Sequence, residues 1–156
     1  MAQPTLPIAL GAGWRLRPAT ESDLAALRSL DAASRGMPRE ALIEELFRAS
    51  DVTVVLDRDG SACGFAMLRR FGRGHVIGPV VAPDGEGAKA LIAHLSGLNA
   101  GRFTRIDIDF DSGLSEWLES LGLLRVDAPT TMLHGPALEW PPGAPKLHAI
   151  AMQALG

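Results

Sequence analysis

The sequence has one cysteine, no tyrosine and almost no excess of charge of either sign. Cys63 has no partner for an internal disulfide, and one cysteine cannot build a thiolate metal cluster, so we expect a reducing, cytoplasmic location and no metal site. Fifteen basic and eighteen acidic side chains give a formal net charge of −3, which supplies no positive field to hold a polyanion. We therefore expect no nucleic-acid partner.

Long apolar runs are also missing. No stretch approaches the roughly 20 residues that span a bilayer, and the apolar N-terminal residues have no basic residues before them and are interrupted by Pro4 and Pro7. We expect no signal peptide, anchor or membrane partner. The 156 residues suffice for a single domain, with residues 1–12 as an N-terminal extension and 136–156 as a proline-rich C-terminal segment that contains a short helix.

Hydrophobic periodicity predicts alternating strands and helices. Six segments have the composition and alternation of strands: Trp14–Arg17, Val52–Leu56, Ala62–Leu68, His75–Ala82, Phe103–Phe110 and Thr130–Leu133. Four segments have helical spacing: one capped by Thr20, one with Pro38 in its first turn, Gly85–Leu98 and Leu114–Leu121. The predicted order is β-α-α-β-β-β-α-β-α-β.

This order predicts how the strands pair. The turn at residues 57–60 joins two strands into a hairpin, and the helix at 85–98 crosses over to a strand that should lie parallel. Pro79 lies inside a strand pattern and cannot donate a ladder hydrogen bond, so that strand should be irregular or splayed there. We expect an α/β (α+β) fold: a mixed, mostly antiparallel central sheet with helices on both faces and a splayed strand.

Residues 76–83, which read Val-Ile-Gly-Pro-Val-Val-Ala-Pro and lead through glycines into a helix, together with this element order, resemble the GNAT superfamily of acyl-CoA-dependent N-acyltransferases. More narrowly, segments 64–69, 77–82, 106–109 and 131–135 are similar to the C-terminal module of bacterial two-module GNAT proteins. The resemblance implies transfer of an acetyl group from acetyl-CoA, as co-substrate, to a small-molecule or protein amine. The alternative interpretation is an inactive GNAT-like module that binds a ligand or another protein.

The resemblance also implies where acetyl-CoA binds. A splayed strand would pair with its pantetheine arm, and a glycine-containing helix N-terminus would bind the pyrophosphate. The residues at these positions are Val80, Val81, Ala82, Gly85, Gly87 and Ala88. Asp84 and Glu86 flank the phosphate position, which predicts weak affinity, partly offset by Lys89. The alternative is an ordinary tight turn from strand to helix.

Catalytic groups are sparse. Leu118 stands where many members of this family place a tyrosine that protonates the leaving thiolate, and Asp111 stands where they place an asparagine. The candidate general base is His75, three residues before the expected splay and near where the family often holds a base; an imidazole pKa near 6.5 suits removal of a proton from an ammonium group. The alternative is a surface histidine beside a turn. A strand N–H around Val80 would polarise the thioester carbonyl.

Asp107, Asp109 and Asp111 occupy every second position, so one face of the fifth strand would carry three carboxylates. We take Asp107 and Asp109 as candidate substrate-binding residues for a cationic amine; the alternatives are a solvated strand face and a helix cap at Asp111. The apolar residues of the C-terminal tail can pack on the domain or on a partner subunit in a homodimer.

Overall fold

The computed structural model describes residues 7–132 and 134–155. Within them the strands are β1 (Trp14–Pro18), β2 (Ser50–Arg58), β3 (Ser61–Phe71), β4 (Gly74–Ala82), β5 (Thr104–Ile106) and β6 (Lys146–Ala149). The helices are α1 (Leu24–Arg35), α2 (Glu40–Ala49), α3 (Gly85–Leu98) and α4 (Ser115–Ser120), with short 3-10 turns at Glu21–Asp23 and Phe110–Ser112. None of the helices in the described residues is long and apolar enough to cross a bilayer.

The strands form one mixed sheet in the order β1-β2-β3-β4-β5. The first four are antiparallel neighbours, β5 lies parallel to β4, and β6 lies antiparallel beside the other half of β4. The expected mixed, mostly antiparallel sheet is confirmed, as is the crossover through α3 to a parallel strand.

The hairpin between β2 and β3 follows directly from its turn residues. Arg58 pairs with Ser61, which leaves Asp59 and Gly60 as a two-residue loop with φ values of 52° and 86°. Positive φ at both positions is the geometry that an Asp-Gly pair favours between strands. The Asp57 carboxylate also accepts a hydrogen bond of 2.8 Å from the Gly60 N–H, so the turn is fixed on both sides.

The two helices after β1 begin and end at recognisable signals. The Thr20 N–H donates to the Asp23 carboxylate at 2.8 Å, and Gly36, with a φ of 74°, ends α1 in the left-handed conformation. Pro38 was expected in the first turn of α2, and this is wrong. Arg39, with a φ of −137°, separates Pro38 from the first helical residue, Glu40.

The sheet buries a hydrophobic cluster on each face. One cluster packs α3 and α4 against the sheet through Leu91, Ile92, Leu95 and Leu118. The other packs α1 and α2 against the opposite face through Leu27, Ile43 and Leu46. Side chains alternate along β3 and β4, so consecutive residues of these strands enter different clusters.

The irregularity expected at Pro79 is confirmed. Ala66 of β3 pairs with Val80, and Leu68 pairs with Ile77, so Gly78 and the cis-linked Pro79 together lie opposite one β3 residue. β4 and β5 pair only through residues 75–77 and 104–106. Beyond these pairs the two strands part, and we call the opening between them the splay.

Three expected elements differ from the structure. The strand predicted at Phe103–Phe110 ends at Ile106, because β4 diverges there and no longer offers it an edge. Residues 130–132 form no strand, and Leu133 lies outside the described residues. The short helix expected in 136–156 does not form in its described part, which carries β6 instead.

Candidate functional site

The candidate site is the splay, where two edges of backbone face each other. On one side lie residues 80–82 of β4, which we call the ledge. On the other side lies the chain that continues from β5 through residues 107–109. The ledge runs within three residues into α3, so a strand edge and a helix N-terminus are adjacent. The candidate cofactor-binding residues lie on these two elements: Val80, Val81, Ala82, Gly85, Gly87 and Ala88.

The splay contains β6. On the ledge, Val80 pairs with Ala149, Val81 with Leu147 and Ala82 with Lys146. On the opposite side, the Ile150 N–H donates to the Asp107 carbonyl at 2.9 Å, and Ile108 forms an isolated bridge with Ala149. The C-terminal strand therefore lies between β4 and the continuation of β5 and hydrogen-bonds to both.

The N-terminus of α3 is capped by its own sequence. The Asp84 carboxylate accepts a 2.7 Å hydrogen bond from the Gly87 N–H, and a Cβ at Gly87 would lie 2.8 Å from Leu56 Cδ2, so this glycine is required by packing. Gly85 has open space around its Cα. Lys89 lies 3.0 Å from Glu86, so its charge is already paired with a carboxylate of the same turn.

A cavity of about 170 Å³ adjoins this helix terminus. It is lined by residues 9–11 of the N-terminal segment, by Trp14 of β1 and by Asp84, Glu86 and Gly87. Two carboxylates therefore face the space beside the helix N–H groups, which opposes an anionic ligand through charge while the helix dipole favours it.

His75 lies in the paired part of β4, opposite Thr104 of β5. Its Nε2 is 3.1 Å from the Asp51 carboxylate, and its buried Nδ1 has no hydrogen-bond partner among the described residues. Along the strand, four residues, or roughly 13 Å, separate His75 from Pro79. The structure thus does not bring His75 against the ledge, and a proton from an acceptor there would have to travel through water.

The expected face of three carboxylates is wrong. Asp107 accepts a 2.8 Å hydrogen bond from Arg105, and this pairing raises the pKa of the Arg105 guanidinium. Asp109 is exposed and precedes the 3-10 turn that contains Asp111. Alternating residues share one face only within a strand, and β5 ends at Ile106, before the first of the three aspartates.

Leu118 and Cys63 have structural roles in the core and not catalytic ones. Leu118, at the position of the absent tyrosine, is only 5% exposed and belongs to the core below the sheet. The Cys63 thiol donates to the Leu56 carbonyl at 3.3 Å, and burial raises its pKa, which disfavours a nucleophilic thiolate.

Sequence reasoning missed two arginines that fix the C-terminal segment. Arg69 is buried on β3, joins no salt bridge within the described residues, and donates to the carbonyls of Gly78 and Ala151. Arg39 forms a two-point ion pair with the fully buried Asp31, at 2.7 and 3.0 Å, and also donates to the Leu155 carbonyl. A spacing signal does not reveal such contacts, because each joins elements distant in sequence.

His148 on β6 is a further buried polar residue that the sequence did not single out as functional. It is 4% exposed, and its Nε2 has no partner within the part of the chain that the structure describes. Burial lowers the pKa of His148, and Lys146 adds to this effect, while the Ala82 backbone and Asp84 oppose it. The neutral ring is therefore the form that fits beside the ledge.

The depressed pKa of His148 predicts a pH-dependent stability. The unfolded chain binds the proton more readily, so stability is present above the unfolded value near 6.5 and is lost as pH falls below it, by up to about 1.4 kcal/mol per pH unit. Urea unfolding at pH 7.5, 6.5 and 5.5 should show this loss, and His148→Gln should flatten it. His94→Gln, at an exposed site on α3, is the control. An equal slope in wild type and His148→Gln would contradict the assignment.

Comparison with known proteins adds three similarities. Residues 27–142 match a family described as acetyltransferase (GNAT) domain. The chain is 29% identical over 138 residues to the uncharacterized N-acetyltransferase YitH of Bacillus subtilis (strain 168), a match that covers 87% of this chain and 48% of that protein. This chain therefore spans about half the length of that relative.

The third similarity is structural. The fold aligns with an aminoglycoside N-acetyltransferase, AAC(6')-Iy, solved in complex with CoA. The TM-score is 0.54 at 21% identity, covering 82% of this chain and 98% of that one. At this level of identity, the likeness concerns the arrangement of strands and helices.

Proposed function

The chain belongs to the GNAT acetyltransferase-domain family, and from that premise we propose that it transfers an acetyl group from acetyl-CoA to an amine. One structural observation supports the proposal most. The parallel strands β4 and β5 part after Ile77, and the edge of β4 beyond that point, with which β6 pairs, leads into the N–H groups at the start of α3.

The ledge suits an extended ligand. β6 already pairs with residues 80–82, so this backbone can form a ladder with a chain segment placed in the splay. A pantetheine arm carries amide groups on an extended chain and can add to a strand edge in the same manner. At the far end, Gly85 leaves room beside the helix terminus for a pyrophosphate.

The reaction would rest chiefly on positioning. The amine nitrogen bonds to the thioester carbonyl carbon as the carbon–sulfur bond breaks, and an N–H around Val80 polarises the carbonyl oxygen. His75, whose Nε2 faces the Asp51 carboxylate, is the candidate base for the amine proton. Since Leu118 is buried and the sequence contains no tyrosine, water protonates the leaving sulfur.

The acceptor is an amine of a small molecule or a protein. We retain Asp109 as a residue that can attract a cationic amine, because its carboxylate is exposed beside the splay, whereas Asp107 is paired with Arg105. A cytoplasmic setting, which supplies acetyl-CoA and suits the single cysteine, completes the proposal.

Calorimetric titration with acetyl-CoA, followed by a thiol-release assay on a panel of amines, tests the proposal. Binding together with thiol release that depends on an amine would support it. Binding without release from any amine would favour the alternative of an inactive ligand-binding module. Absence of binding at millimolar acetyl-CoA would contradict the acetyltransferase proposal.

Neutralising the two acids at the start of α3 should tighten acetyl-CoA binding. In Asp84→Ser/Glu86→Gln, serine keeps an N-cap oxygen for the Gly87 N–H, so helix stability is retained. Loss of two negative charges near the phosphates should lower the dissociation constant by about three- to tenfold at low salt, and less at high salt. Glu45→Gln on α2 is the matched control. Unchanged calorimetric affinity would mean that the phosphates bind elsewhere.

A further inference from the structure

We propose that the C-terminal strand is a strap that competes with acyl-CoA for the splay, so that the co-substrate binds only when the strap withdraws. The strap comprises residues 146–151. The inference rests on the proposed acetyl-CoA site and concerns how access to that site is controlled.

Strap and pantetheine would use the same hydrogen-bonding groups. The ledge has two edges: β3 pairs with one through Phe65 and Ala66, and β6 pairs with the other through residues 146–149. A backbone edge can form one ladder at a time. Any ligand that adds to the ledge between β4 and the continuation of β5 must therefore displace β6.

The strap lies against β4 more closely than a side chain would allow. A Cβ at Gly78 would overlap the Ile150 carbonyl oxygen, and Ala151 Cα lies 3.6 Å from that position. Gly78, at the start of the splay, has only a hydrogen atom in place of a side chain, and this permits the close approach. The glycine in β4 thus allows the strap to pair with the ledge.

The strap and the residues that follow it are held by hydrogen bonds to backbone carbonyls and by apolar contacts. Arg69 donates to the Ala151 carbonyl, and Arg39 donates to the Leu155 carbonyl, so both guanidinium groups bind backbone oxygens of the tail. Apolar contact comes from Leu147 and Ala151, which pack into the cluster shared with α1 and α2, and from Ala149, which packs into the cluster on the other face. A four-residue strand is short, which makes its release compatible with an intact sheet.

A matched pair of substitutions tests the competition in the full chain. Leu147→Asn removes the partly buried apolar anchor, and Lys146→Asn makes the same replacement at the exposed neighbouring position. We expect Leu147→Asn to lower the dissociation constant for CoA by about tenfold relative to wild type, because less apolar contact must be given up on release. Lys146→Asn should bind as wild type does.

Hydrogen exchange on the wild-type protein gives a second measurement that does not depend on a variant. Saturating CoA should speed exchange of the amides at 147–150, while the amides of β2 and β3 stay protected. Increased or unchanged protection of 147–150 in the complex would overturn the proposal, as would CoA affinity in Leu147→Asn equal to or weaker than that of Lys146→Asn.

The outcomes separate this inference from the proposed function. If CoA binds the wild type and the strap remains in place, the strap is structural and the acetyltransferase proposal stands. If CoA binds none of the three proteins at millimolar concentration, the proposed function fails and the competition fails with it.

Discussion

Asp31→Ala should lower the free energy of unfolding by about 3–5 kcal/mol, the usual cost of leaving a buried charge without its partner. The Asp31 side chain is fully buried, and that of Arg39 is 8% exposed. Their two-point contact ties α1 to the residue before α2. Without the carboxylate, the guanidinium remains in the same desolvated place. Urea unfolding at pH 7 measures the loss.

The surface supplies the control for this prediction. Glu45 and Arg48 form an ion pair of similar length, 2.8 Å, but their side chains are 73% and 65% exposed. Glu45→Ala should change stability by less than about 1 kcal/mol, because water replaces the lost contact. The double variant Asp31→Leu/Arg39→Met should recover much of the loss. A change below about 1 kcal/mol in Asp31→Ala would show that the pair is not stabilising.

His75→Gln should lower turnover on an amine by about tenfold to ten-thousandfold, the range for loss of a general base. Glutamine preserves the approximate size of the side chain and its contact with Asp51, so folding should be unaffected. The affinity for acetyl-CoA should also be unchanged, because His75 lies in the paired part of β4, before the ledge. Rates with saturating acetyl-CoA across pH 5.5–8.5 provide the measurement.

The pH profile decides whether His75 acts on the proton. A rate that depends on a general base varies with pH, and His75→Gln should lose the part of that variation that His75 supplies. His94→Gln, on the exposed face of α3, serves as the matched control and should keep the profile. The same profile in wild type and His75→Gln would remove this histidine from the mechanism.

Local patterns in the sequence were enough for most of the sheet. The bounds of α3 agree with the prediction, residue for residue, because its apolar spacing is regular and glycine and proline flank it. The Asp-Gly turn gave the hairpin, and Pro79 gave the irregular strand, since both act through backbone conformation close to their own position.

The rest depended on contacts that no local pattern records. β6 follows a run of prolines and is four residues long, so its identity as a strand comes from the edge of β4 that it meets, and the acidic alternation after Ile106 formed no strand because that edge was lost. Burial of Asp31, Arg69 and His148 likewise arises only when distant segments pack together. The sequence predicted a candidate site at the ledge, but it did not predict that β6 pairs with the ledge.

The segment that joins α4 to β6, residues 121–145, has no helix or strand in its described part and gives the strand a tether. A strand held in this way acts as a tethered ligand at a fixed effective concentration, which the length and stiffness of the link determine. Acyl-CoA at cellular levels would compete against that local concentration. If acyl-CoA binds in the splay as proposed, the length of this tether is one of the quantities that set its apparent affinity.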